Sequence, residues 1–266
     1  MDHPFVFRPD GMDAEIFRNV VENNEYAMPE RFGRGDVVVD IGVHVGSFCY
    51  AALLRGARQV DGFEADAGNY ACASHNLRDY ADRLRLSNRA ICLSNRTIWR
   101  SDTRVSHLNF TANEGNSAAG HVILETGQRR VEALAFDDMI REVTQGGRRR
   151  VRLLKIDCKG SEFPILLTAT TLHLVDEIVG EWHCYGFEGP HNIPDVAKVA
   201  GYDRYTLKEL ADRLEAAGLA IIKAVPHVLP EVPTGVFTAR RPTRPNLLGQ
   251  LKGRLGSLRR SLRKAG

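Results

Sequence analysis

The first strong pattern along the chain is a short apolar run that ends in a glycine-containing turn. Residues Val37 to Ile41 read VVVDI, and such a β-branched run is typical of a strand that is buried on both faces. Gly42 and Gly46 follow it, and a helix is expected to begin near Gly46. A second strand ending at Glu64 completes the pattern. Residues 36–64 are therefore predicted to form a strand–turn–helix–strand unit.

The same alternation of apolar strands and helices continues to residue 239. Helices are predicted at residues 13–23, 67–77, 163–170 and 207–217. Further strands are predicted at residues 84–92, from 131, at 151–157, 175–180, 219–225 and 232–239. Residues 93–125 are polar and favour a β-hairpin and loop, whereas residues 186–205 favour a long Gly/Pro-containing loop. This order predicts a doubly wound α/β fold with a mostly parallel sheet and an antiparallel closing strand.

Acidic residues stand at the ends of the predicted strands. Ligands of such folds bind outside the carboxyl ends of the strands. Asp40, Glu64, Asp157 and the pair Glu181 and His183 all fall at such ends. We therefore expect these side chains to converge on one crevice.

The glycine turn has the spacing of a nucleoside-binding site. Asp40, Gly42 and Gly46 form D-x-G-x-x-x-G, and Glu64 follows eighteen residues after Gly46. An acid at that place can accept hydrogen bonds from both hydroxyls of a ribose. A dinucleotide turn starting at Gly42 requires glycine at positions 44 and 47, where this chain has histidine and serine. A nicotinamide-dependent oxidoreductase is therefore only an alternative, and the pattern is similar to the S-adenosylmethionine (SAM) site of class I methyltransferases.

Four segments together resemble the FkbM-type methyltransferases, a family of SAM-dependent O-methyltransferases. They are VVVDIGVHVGSF (37–48), GFEADAGNY (62–70), LLKIDCKGSEF (153–163) and EIVGEWH (177–183). The resemblance spans roughly residues 25–190 and implies a Rossmann-like, seven-stranded class I methyltransferase fold. It implies SAM as the cofactor and S-adenosylhomocysteine as its product. The implied cofactor-binding residues are Asp40, Gly42, Val43, His44, Gly46, Ser47, Phe48, Glu64, Ala65, Asn69 and Asp157.

One position departs from the family pattern. The family usually has glutamate before the glycine of its third motif, and here that residue is Lys159. A reversed charge beside the crevice either removes the role of that position or accommodates an acidic or phosphorylated substrate.

The expected chemistry is methyl transfer to a hydroxyl group of a small molecule, such as a sugar or another secondary-metabolite moiety. Alignment of the reacting atoms lowers the barrier, and a base must take the hydroxyl proton. His183 is the candidate base, because histidine titrates near neutral pH. Glu181 shares its face of the strand and can orient it. Asp157 and Glu162 are candidates for binding the acceptor or orienting the base.

Two other functions stay open at this stage. Asp157 and Glu181 loosely match the magnesium ligands of metal-dependent small-molecule O-methyltransferases, and oxygen ligands suit magnesium. A magnesium-dependent enzyme is therefore an alternative, although a metal is not favoured. A non-catalytic SAM-binding scaffold is the other.

Composition and charge limit the partners. Residues 1–239 carry 27 basic and 33 acidic residues, because nine of the 36 Lys/Arg and none of the 33 Asp/Glu lie from Arg240 onward. A nucleic-acid footprint over the body is therefore not expected. The five cysteines form no C-x-x-C pair and predict neither disulfides nor structural zinc. With neither a secretory signal nor a long apolar run, a cytoplasmic protein without an integral membrane segment is expected.

The chain is expected to divide into a body and a tail. Residues 1–241 are predicted to be a single methyltransferase domain, with residues 1–35 as an N-terminal cap segment. Residues 242–266 contain leucines at helical spacing among basic residues and predict an amphipathic tail. Such a tail can dock on the body, pair with another subunit or lie on an acidic membrane surface, so a homo-oligomer through this helix is one expectation.

Overall fold

A computed structural model describes residues 5–9, 11–82, 90–111, 121–123, 129–184, 193, 195–227 and 233–242. In chain order the strands are β1 (Val37–Ile41), β2 (Gln59–Phe63), β3 (Ala90–Ser94), β4 (Thr97–Trp99), β5 (His107–Thr111), β6 (His121–Ile123), β7 (Arg129–Ala135), β8 (Val151–Ile156), β9 (Glu177–His183), β10 (Ala220–Pro226) and β11 (Thr234–Arg240). The α-helices are α1 (Asp13–Phe17), α2 (Ser47–Leu54), α3 (Ala67–Asp82), α4 (Phe136–Val143), α5 (Glu162–Thr168) and α6 (Leu207–Ala216). A π-helical turn (Arg18–Glu22) and two 3₁₀ turns (Leu172–Leu174 and Asp195–Ala197) complete the described elements.

The central sheet has seven strands in the order β10-β11-β9-β8-β1-β2-β3. β1 pairs in parallel with β2 and β8, and β9 pairs in parallel with β8. β11 runs antiparallel to both β9 and β10. The predicted doubly wound, mostly parallel sheet with an antiparallel closing strand is therefore confirmed.

Hydrophobic cores lie on both faces of this sheet, and β1 shows why. All five residues of β1 are buried. Val37, Val39 and Ile41 belong to the core that also holds α4, α5 and α6. Val38 points to the opposite core, with α2 and residues of the N-terminal segment. Because alternate residues of a strand face opposite sides, a strand in the middle of a two-sided sheet is apolar throughout.

The structure refines several predicted elements. Strands β4 to β7 form a second, four-stranded sheet, whereas the sequence favoured a hairpin and loop at residues 93–125. The sequence of that polar stretch does not show that its strands pair with β7, which follows later in the chain. The helix predicted at residues 13–23 is α1 followed by the π-helical turn. The predicted segments 84–89, 112–120, 185–192 and 243–266 lie outside the described residues.

Two predicted helix starts illustrate different capping. Thr206 caps α6: its hydroxyl accepts the backbone N–H of Lys208 and its own N–H donates to the Glu209 carboxylate, both at 3.2 Å. Ser161 stands at the N-cap of α5 but makes no side-chain capping bond. No described helix is long and apolar enough to cross a membrane.

Candidate active site

A cavity of about 360 Å³ opens at the carboxyl ends of β1, β2, β8 and β9. This is the edge at which the sequence placed the acidic residues, as expected for an open α/β sheet. Of the residues implied by the family resemblance, nine described ones line it: Gly42, Val43, His44, Ser47, Phe48, Glu64, Ala65, Asn69 and Asp157. Asp157 and Glu181 line its other end. Asp40 and Gly46 are not among the lining residues.

The glycine turn connects β1 to α2 in a left-handed conformation. Gly42, His44 and Gly46 have φ of 84°, 55° and 96°. A Cβ atom on Gly42 would lie 2.0 Å from the carbonyl oxygen of Asp157, and one on Gly46 would lie 2.9 Å from the Leu77 side chain. The sequence attributed these glycines to close approach of a ligand. The structure shows that they also let the turn pack against the end of β8 and against α3.

Glu64 joins the glycine turn to the end of β2. Its carboxylate accepts the backbone N–H of His44 at 2.7 Å and of Asp66 at 2.8 Å. Burial raises the pKa of Glu64 to about 7, although both backbone hydrogen bonds lower it. Each carboxylate oxygen retains a second lone pair. Glu64 can therefore accept hydrogen bonds from the hydroxyls of a ribose while holding the turn in place.

Asp40 lies one layer behind the cavity wall. Its side chain is fully buried, and its Oδ1 lies 3.1 Å from the ammonium of Lys155. Burial raises the pKa of Asp40, and Lys155 acts in the opposite direction. Lys155 also donates to the carbonyl oxygen of Gly42 at 2.5 Å and lines the cavity. Asp40 thus supports the turn through Lys155. Sequence reasoning missed this lysine, although the position of Lys155 in a buried strand that ends beside Asp157 was a signal.

Ser47, the first residue of α2, presents an unsatisfied polar atom. Its side chain is buried, and its hydroxyl oxygen has no hydrogen-bond partner among the described residues. The free backbone N–H groups of a helix begin at the same place. A buried hydroxyl without a partner is costly unless a ligand supplies one. This end of the cavity therefore fits the polar methionine part of SAM, and Glu64 fits its ribose.

The N-terminal segment closes one side of the cavity. Met12, Ile16 and Val20 contribute to its wall. Arg8 fastens this segment, since its guanidinium contacts Asp13 at 2.8 Å, Asn69 at 2.7 Å and His44 Nε2 at 3.0 Å. Burial lowers the pKa of His44 to about 4, so its ring is neutral at physiological pH. Sequence analysis predicted a cap segment here but did not identify Arg8 or Asp13.

His183 is held between two carboxylates. Its Nδ1 lies 3.2 Å from Oε1 of Glu162, and its Nε2 lies 3.4 Å from Oε2 of Glu181. Glu162 is itself fixed, because it accepts the backbone N–H of Cys158 at 3.1 Å and of Gly160 at 2.8 Å. The sequence offered both Glu181 and Glu162 as residues that could orient His183, and in the structure Glu162 contacts Nδ1 while Glu181 lies beside Nε2.

Electrostatics at this end follow from burial and close charges. Burial lowers the pKa of His183, but the hydrogen-bonded Glu162 carboxylate outweighs it, so the pKa is raised overall. Burial together with the charge of Asp157 raises the pKa of Glu181. Burial would raise the pKa of Asp157, but Lys159 and Lys155 hold it below its usual range.

Lys159 lies in the middle of these groups and lines the cavity, which His183 does not. Its Nζ atom is 2.9 Å from Glu181, 3.4 Å from Nε2 of His183 and 3.8 Å from Asp157. The positive charge at this position is therefore already compensated. That arrangement does not favour the acidic or phosphorylated substrate considered from the sequence.

A divalent metal does not fit between Asp157 and Glu181. The ammonium of Lys159 already lies close to both carboxylates. In the part of the chain that the structure describes, no group of three His, Cys, Asp or Glu side chains has the arrangement of a metal site. The geometry therefore gives no support to the magnesium-dependent alternative.

Comparison with models of protein families finds a match over more than half of the chain. The family model described as the methyltransferase FkbM domain matches residues 40–202. Among curated proteins none matches the sequence significantly.

Solved structures resemble the chain only distantly. EvdMO1 is 13% identical with a TM-score of 0.46, covering 90% of this chain and 45% of that one. TrmK from M. capricolum, solved with S-adenosylhomocysteine, is 8% identical with a TM-score of 0.42, covering 83% of this chain and 67% of that one. Magnesium protoporphyrin IX methyltransferase from Synechocystis, solved with SAM, is 10% identical with a TM-score of 0.40, covering 86% and 79%.

Proposed function

The chain belongs to the FkbM methyltransferase family and uses SAM, and we propose that it methylates a hydroxyl group of a small polar molecule, such as a sugar or another secondary-metabolite moiety. The observation that carries this proposal is the position of His183. Its imidazole is held by Glu162 and Glu181 beside the end of a cavity whose other end fits a nucleoside. A histidine held in this way suits proton removal from a hydroxyl group.

The chain supplies binding groups for each part of the cofactor. We propose that Glu64 binds the ribose hydroxyls and that Ser47, with the N-terminus of α2, binds the methionine part. Val43, His44, Phe48, Ala65 and Asn69, which also belong to the predicted set, line the same cavity. When bound, SAM supplies a methyl group whose carbon forms a bond to the acceptor oxygen as its bond to sulfur breaks.

The catalytic roles divide among four residues. His183 takes the hydroxyl proton at Nε2 and later releases it to water. Glu162 holds Nδ1 and stabilises the imidazolium that forms, because an ionised carboxylate favours the charged ring. Glu181 and Asp157 line the cavity and can accept hydrogen bonds from further hydroxyls of the acceptor.

The charges around the acceptor end favour a neutral substrate. Glu25, Asp157 and Glu181 line this part of the cavity together with Lys159. The charge of Lys155 is compensated by Asp40. A phosphate-rich acceptor such as RNA would meet the carboxylates of Glu25, Asp157 and Glu181, whereas the charges of Lys155 and Lys159 are already compensated. A polyhydroxylated molecule can instead donate hydrogen bonds to them.

The alternatives from other classes have less support. A nicotinamide oxidoreductase shares the fold, but the matching family model is a methyltransferase domain. A SAM-binding scaffold would not require the contact between Glu162 and Nδ1 of His183.

Transfer of an isotopically labelled methyl group tests the proposal. The full chain is incubated with methyl-labelled SAM and separate pools of sugars, phenols and RNA, and the product is identified by carbon NMR. We expect a labelled methyl ether from a small hydroxyl compound. The His183→Gln variant is expected to bind S-adenosylhomocysteine normally but to lose most of this transfer. A labelled nucleobase in RNA, or full transfer by His183→Gln, would refute the assignment.

A further inference from the structure

The loop between β8 and α5 places a lysine at the acceptor end of the cavity. Lys159 has φ of 35° and Gly160 has φ of 84°, so the backbone there is left-handed. A left-handed conformation is unfavourable for a residue with a Cβ atom. This strained turn brings the ammonium of Lys159 to Glu181 and to Nε2 of His183, at 2.9 and 3.4 Å.

The partners of His183 determine where its proton lies. Both carboxylate oxygens of Glu162 accept backbone N–H groups, so Glu162 faces Nδ1 as a hydrogen-bond acceptor. An ammonium group has donors and no acceptor. In the neutral ring of His183, Nδ1–H therefore donates to Glu162, and Nε2 accepts from Lys159.

We propose that Lys159 is a positioning residue of the acceptor end: its ammonium fixes the Glu181 carboxylate and keeps Nε2 of His183 as a hydrogen-bond acceptor. The positive charge of the ammonium reduces the repulsion between the neighbouring carboxylates of Asp157 and Glu181. This inference deepens the proposed function, because Nε2 is the atom assigned to receive the hydroxyl proton.

Every charged group facing His183 enters this balance. Glu162 from α5 and Glu181 from β9 favour the imidazolium, and Lys159 opposes it. Asp157, at the end of β8, is also close enough for its charge to couple to that of His183. Without Lys159, Glu181 becomes the partner at Nε2, since it lies 3.4 Å away. Nε2 would then carry a proton and could no longer accept one from the substrate.

Nitrogen NMR of histidine-labelled full-length protein tests this proposal without any acceptor. The His183 signals are assigned by their absence in His183→Gln. On the alkaline side of its titration, His183 of the unmodified protein is expected to carry its proton on Nδ1. In Lys159→Met the titration midpoint is expected to move up by about one pH unit. Lys159→Arg is expected to keep the original midpoint.

The matched control is Lys208→Met, which removes an exposed lysine that pairs with Asp212 on α6. It should leave the His183 titration unchanged. A proton on Nε2 in the unmodified protein, or an unchanged midpoint in a folded Lys159→Met protein, would overturn the proposal. If Lys159→Met does not fold, the proton position in the unmodified protein and the Lys159→Arg midpoint still decide. Failure of methyl-ether formation, by contrast, contradicts the proposed function and leaves this measurement intact.

Discussion

At the scale of single residues, several side chains serve the site through another group. Asp40 contacts Lys155, which supports the carbonyl oxygen of Gly42. Glu162 is fully buried and fixes His183 without lining the cavity. Such supporting residues hold binding groups within the narrow range of geometry that catalysis needs.

Gly42 is expected to be irreplaceable for a steric reason. Gly42→Ala places a Cβ atom 2.0 Å from the Asp157 carbonyl oxygen, in addition to the strain of positive φ. Gly146→Ala is the matched control, because Gly146 has φ of 71° and open space around it. Urea unfolding should show that Gly42→Ala loses about 1–3 kcal/mol more than Gly146→Ala. Equal losses would mean that the turn moves away from β8 without cost.

Glu64 is expected to control cofactor binding and its pH dependence. A charge-assisted hydrogen bond contributes about 1.5–3 kcal/mol, so Glu64→Gln should weaken S-adenosylhomocysteine binding at least about tenfold. The pKa of Glu64 is raised to about 7. Because the ionised form is the better acceptor, affinity in the unmodified protein should rise as the pH increases through 7.

Isothermal titration calorimetry at several pH values measures both effects. Glu142→Gln, which changes an exposed acid on α4, is the matched control and should bind normally. A Glu64→Gln protein that keeps both its affinity and the pH dependence would exclude Glu64 from the ribose site.

At the scale of elements, the cavity is assembled from three parts of the chain. The glycine turn and β2 form one wall, the ends of β8 and β9 form another, and the N-terminal segment closes a third side. Aromatic packing supports this segment, since the rings of Phe5 and Phe17 lie 4.7 Å apart and that of Phe17 lies 5.9 Å from that of Tyr50 in α2. Its position is therefore set by apolar packing as well as by Arg8.

The Arg8 contacts are expected to couple this segment to the cavity. Arg8→Met removes the guanidinium that pairs with the buried Asp13 and leaves the neutral ring of His44, 3.3 Å away, beside that carboxylate. Loss of one partner of a buried charge should lower the free energy of unfolding by about 1–3 kcal/mol. Binding of S-adenosylhomocysteine should weaken as well, because Met12 and Ile16 line the cavity. Arg18→Met, which changes an exposed arginine of the same segment, should alter neither the free energy of unfolding in urea nor the affinity measured by calorimetry.

At the scale of the whole molecule, one sheet carries both cores and the site. The two hydrophobic clusters draw on residues from Val20 to Ala239. The division into a domain of residues 1–241 and a tail of residues 242–266 stays a prediction. The tail, and with it the proposed homo-oligomer, lies largely outside the described residues.

The sequence by itself determined the sheet and the edge at which the site lies. Val37 to Ile41 is apolar except for Asp40 and buried throughout, and a strand covered on both faces suits that pattern. Strand order then sends Glu64, Asp157 and Glu181 to one edge, because parallel strands share a carboxyl end. Local patterns of this kind depend on neighbours in the chain and are readable without coordinates.

Only the tertiary structure decided which side chains meet within that edge. Arg8 reaches Asn69 and His44 across 61 and 36 residues, and Lys155 reaches the carbonyl of Gly42 across 113. The contact of Lys159 with both Glu181 and His183 depends on a left-handed turn at Lys159. No local pattern encodes these contacts, because hydrogen bonds and ion pairs depend on atomic distances set by the packing of distant segments. The sequence therefore predicted an acidic crevice, and the packing of distant segments brought the carboxylates of Glu162 and Glu181, the imidazole of His183 and the ammonium of Lys159 into contact there.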